Sequence, residues 1–84
     1  MSNDKTNGVK EVTALYQRGI AAALAEEYIS EAAVGYELLA DYLSRIGQRG
    51  PAIRENYSKA AFLYEKWGAK VKRRQLLDRV QNMG

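Results

Sequence analysis

The chain has 84 residues, a net charge of +3, no cysteine and no histidine. That length allows one small domain, or one piece of a larger protein, with a thin stability margin unless its elements pack well or a partner covers a face. The missing residue types exclude disulfides, zinc–thiolate sites, thiol nucleophiles and imidazole bases or ligands, and with them most hydrolase and metalloenzyme designs.

Residues 1–8 are polar, end in Gly8 and read as a disordered leader, leaving 9–84 as a single helical domain. From Val9 the apolar positions Val12, Leu15, Tyr16, Gly19, Ile20, Ala23 and Leu24 recur at intervals of three and four, which predicts a first helix to about Glu26. Gly19 within it costs about 1 kcal/mol relative to alanine. A close approach by a neighbouring helix would account for it. No glycine or proline interrupts residues 20–34, so one continuous helix to Ile46 is the alternative to a break. A rod of that length is rare in so small a chain. The expectation is therefore a joint at Tyr28 and Ile29, with Ser30 capping the second helix.

Helix two carries Ala32, Ala33, Tyr36, Leu39, Ala40, Leu43 and Ile46 on one stripe and stops at Gly47. The Gly47–Pro51 loop reverses the chain, and Pro51 suits the first turn of helix three, where its missing N–H is no loss. Helix three turns Ile53, Tyr57, Ala60, Ala61, Tyr64 and Trp67 inward, and Gly68 ends it as a left-handed cap. Helix four, from Ala69 to about Gln81, buries Ala69, Leu76, Leu77 and Val80 and exposes its cations. The fold class expected is all-α: four helices as two antiparallel hairpins, tetratricopeptide-like, with small residues facing large aromatics where the axes cross. No apolar run approaches the roughly 18 residues of a membrane span, and the polar start lacks the apolar centre of a signal peptide. A cytoplasmic protein without a membrane span is the expectation.

Charge is laid out in blocks. Residues 26–41 carry Glu26, Glu27, Glu31, Glu37 and Asp41 with no cation, while residues 66–84 carry six cations against Asp78. Mutual attraction between packed helices accounts for this layout, with Lys or Arg of the last helix facing Glu37 or Asp41.

One stretch resembles a signature. Glu37-Leu38-Leu39-Ala40-Asp41-Tyr42-Leu43, then Gly47, Tyr57, Ala60, Tyr64 and Trp67-Gly68-Ala69 with Lys72 and Leu76, resemble the last helical repeats of large signalling proteins. Those proteins join an AAA-type ATPase module, a long tetratricopeptide-like array and an output domain, either a kinase or a nucleotide cyclase. The likeness covers about residues 20–80, with Val71 and Arg73 departing from the family's usual alanine and valine. It implies scaffold and context rather than catalysis.

Candidate sites are few. Trp67, Lys70, Lys72, Arg73 and Arg74 are the positions for possible partner contact. Trp67 continues the stripe of Tyr57 and Tyr64, so a core aromatic closing the bundle is expected, with a partner-docking wedge as the alternative. The four cations read as a solvated face rather than a nucleic-acid surface, because the aromatics face inward and an acidic helix shares the same small body. Glu26, Glu27 and Glu31 lack the convergent oxygens of a calcium or magnesium site. Gly47 and Gly50 lack the lysine and serine of a phosphate loop, and Ser58 and Lys59 point apart on a helix, so no nucleophile–base pair forms. No cofactor is implied. The function expected is a non-catalytic helical module for protein interaction or self-association, a dimer, within a signal-transduction protein. The alternative is a trafficking adaptor resembling microtubule-interacting-and-transport domains, with Ala32, Tyr36, Ala60 and Leu63 forming a groove for a partner helix.

Overall fold

The computed structural model describes residues 4–48 and 50–82. Four helices run through them: α1 (Asp4–Ala25), α2 (Ile29–Arg45), α3 (Ala52–Trp67) and α4 (Lys70–Gln81). Each packs on the next as a helical hairpin, α2–α3 being the most extensive contact, in a flattened body of about 45 × 33 × 14 Å. Residues 4–8, expected to belong to a disordered leader, are part of α1, and residues 1–3 lie outside the described part.

The breaks between helices share one backbone solution. At the end of α3, Gly68 adopts φ +95°; its N–H bonds the Glu65 carbonyl at 3.0 Å and the next N–H, of Ala69, bonds Tyr64 at 2.8 Å. Gly47 repeats this after α2, with its own N–H on Ser44 and that of Gln48 on Leu43. These paired bonds satisfy carbonyls that a helix end leaves orphaned. The α1–α2 joint does the same without glycine: Glu27 sits at φ +62°, its N–H on Leu24 and that of Tyr28 on Ala23. A break was expected here, but its cap is Tyr28 rather than Ser30, and no side chain caps it. The left-handed residue turns the chain at Glu27, so the Tyr28 carbonyl already accepts the first bond of α2, from Ala32.

The core is built from small residues facing aromatics. Ala32, Ala33 and Ala40 of α2 and Ala60 of α3 are fully enclosed, with Tyr57, Tyr64 and Leu76 buried around them. Packing this close requires Gly35, where an added Cβ would lie 2.7 Å from Ile20 Cγ1. The close approach expected at Gly19 is therefore made at Gly35 instead; Gly19 faces open space. Two expected core members are also misplaced. Ile46 is exposed because it lies beyond the last turn of α2, and Trp67 is 59% exposed. Of α4's four expected core residues Leu76 is fully buried, and Ala69, Leu77 and Val80 are partly so.

No helix among the described residues is long and apolar enough to cross a membrane.

Candidate functional site

The acidic face of α2 meets α3 and α4 through two matching clusters. Tyr64 donates its hydroxyl to Glu37 at 2.7 Å, and Lys72 of α4 reaches the other Glu37 oxygen at 2.9 Å. One turn along α2, Asp41 accepts the hydroxyl of Tyr57 and, at 3.1 Å, the guanidinium of Arg79. Each cation also lies over the ring of the tyrosine it joins, at 5.6 Å for Lys72 on Tyr64 and 5.4 Å for Arg79 on Tyr57. The spacings explain why this works: Glu37 and Asp41 are one turn apart, while the tyrosines and the cations are each two turns apart. Burial alone would push the Glu37 carboxyl up, but the Lys72 and Tyr64 hydrogen bonds outweigh it and hold Glu37 below the ordinary carboxylate value. Burial and then the neighbouring carboxylates push both phenols up, so they stay protonated donors. The arrangement fastens three helices together. It leaves no free acid or base, and no cluster of metal-binding side chains occurs among the described residues.

The feature that faces outward is apolar. Between α1 and α2 lies an open groove of about 830 Å³. Its α1 wall carries Val12, Leu15 and Gly19; Val34 and Leu38 of α2 form its floor; Trp67 stands at its rim. Leu15 is 63% exposed, Val34 42%, Leu38 46% and Trp67 59%, a concentration of large apolar side chains that a small monomer rarely leaves in water. Trp67 arrives there because it is the last residue of α3, opposite the first turn of α2. Its ring leans on Tyr64 at 6.4 Å between centroids, and the rest of it lines the groove.

Of the sequence-stipulated contact positions, the structure brings only Trp67 to this groove. Lys72 is held by Glu37 and Arg73 by Glu65 at 2.8 Å, while Lys70 and Arg74 are exposed and do not line this groove. Pairing of the last helix with Glu37 and Asp41 is as the charge blocks implied. The groove suggested by Ala32, Tyr36, Ala60 and Leu63 is not open, since Ala32, Ala60 and Leu63 are core. Sequence reasoning missed Val34, Leu38 and Gly35. The available signal was that Glu31, Val34, Leu38 and Arg45 form a second stripe on α2, behind the one counted as core.

No protein-family model, curated protein or solved structure matches this chain.

Proposed function

We propose that the chain is a non-catalytic helical interaction module, which receives an apolar helical segment of a partner protein in the groove between α1 and α2. The observation that carries this is the groove itself, floored by Val34 and Leu38 and rimmed by a half-exposed tryptophan. Tryptophan in such a setting is the residue type most often found to dominate binding energy. Grooves of this form take the i, i+3, i+4, i+7 face of an amphipathic helix. The likeness of residues 20–80 to tetratricopeptide-like repeats of signalling proteins supports placing the module in a signal-transduction assembly, in the cytoplasm. Self-association is the competing use of the same face.

Trp67 is the only tryptophan, so its emission reports on the groove directly. An uncharged amphipathic peptide, leucines on an alanine–glutamine background, should shift that emission to the blue, and should leave it unchanged in a Leu38→Glu chain, whose floor is blocked. Unchanged emission up to millimolar peptide would end this reading.

A further inference from the structure

The groove has a polarity, and we infer that it selects the direction in which a helix lies. This rests on the groove being the docking site. At one end the first turn of α2 contributes Glu31, exposed, lining the groove and without an ion pair among the described residues. The exposed Glu26 and Glu27 of the adjoining joint stand just before it in sequence. At the other end Leu38 also lines a second recess, of about 590 Å³, whose wall holds Asp41, Arg45 and Arg79, a net charge of +1. Arg79 is partly neutralised by Asp41 at 3.1 Å; Arg45 has no ion pair among the described residues. Arg18 and Lys70 are exposed but line neither recess.

Glu31, Val34, Leu38 and Arg45 thus follow one face of α2 from an acidic mouth, over an apolar floor, to a basic mouth. Fourteen residues of helix separate the two charged ends, about 21 Å at 1.5 Å per residue. The occupant that complements this track is an amphipathic helix of about 14 residues with carboxylates in its first turn and cations in its last. Its carboxylates sit by Arg45 and Arg79 and its cations by Glu31, which lays it antiparallel to α2. That charge order is also the one a helix favours on its own, acids at its N-terminus and bases at its C-terminus, and it sets the two helix dipoles in opposition.

The test uses two synthetic 14-residue peptides with the same leucine stripe. One has glutamates in its first turn and lysines in its last; the other has these charges exchanged. Both are titrated against the whole chain while Trp67 emission is followed. The glutamate-first peptide is expected to bind about tenfold tighter. A chain carrying Glu31→Lys and Arg45→Glu together should reverse the preference, which separates groove polarity from any difference in the peptides' own helicity; far-UV circular dichroism checks that both chains are equally folded. Equal binding of the two peptides, or a preference the double exchange leaves in place, overturns the polarity while the uncharged peptide still tests the groove. A concentration-dependent emission shift with no peptide present, accompanied by a dimer mass in light scattering, gives the groove to a second copy and overturns the partner helix.

Discussion

Glu27 and Gly35 occupy each other's natural roles. Glu27 holds a left-handed backbone, which an L side chain adopts only at a cost, at a joint where the equivalent positions after α2 and α3 are Gly47 and Gly68. Glu27→Gly should therefore stabilise the chain by about 1 kcal/mol, read as a rise of several degrees in melting temperature. Gly35→Ala should do the opposite, costing about 1–3 kcal/mol. Its methyl would meet Ile20, which is buried and has little room to turn. Gly19→Ala meets nothing and gains helix propensity, so it should raise stability by about 1 kcal/mol. Thermal melts of these three variants decide whether the backbone is as described. The two glycines also show a limit of the sequence. Both lie in helical stretches, and periodicity tells which face a residue is on, not which neighbour stands opposite.

Among the helices, α1 is held more loosely than α2 and α3. It packs on α2 alone, and Ile20 and Ala23 are its only buried side chains among the described residues. Amide hydrogen exchange should find α1 opening at lower free energy than α2 and α3, and peptide bound in the groove should slow α1 more than α4. The tyrosine–carboxylate clusters act in the opposite direction, fastening α4 to a helix it does not otherwise touch closely. Tyr64→Phe should cost about 1–2 kcal/mol, since it removes a donor from a charged acceptor that is mostly sheltered. Helix order, the glycine turns and the core stripes of α2 and α3 were legible because each rests on local rules of period and capping. The groove was not, because Val34 and Leu38 stand between charged residues on the face of α2 away from its core stripe, and only packing shows what lies over them. Trp67 was misread for a related reason: it continues the inner stripe of α3 in sequence, but the core ends with Tyr64.

For the molecule as a whole, the sheltered carboxylate sets an acid limit. Glu37 titrates below the ordinary value of 4.5 when folded, so its contribution is fully present above about that pH and is lost as pH falls through the lower, folded value. Tyr57 and Tyr64 give an alkaline limit: their folded values lie above the ordinary 10, so stability holds below pH 10 and is lost as pH rises through the folded values. Denaturant melts across pH should show the acid-side loss diminished in Glu37→Gln. The acidic and basic blocks were visible in the sequence and their attraction was inferred correctly, while the third partner in each cluster, a tyrosine hydroxyl, required the coordinates.

Lys72 and Arg79 remain about half exposed where they bridge α4 to α2, so these links lie within reach of mobile counterions. At an ionic strength of about 1 M the Debye length falls to about 3 Å, comparable with the bridges themselves, whereas the alanine-lined contact of α2 with α3 is not weakened by screening. Concentrated sodium chloride should thus loosen the C-terminal helix ahead of the rest, and because Arg79 travels with it, the electrolyte would set how sharply the groove distinguishes one helix direction from the other.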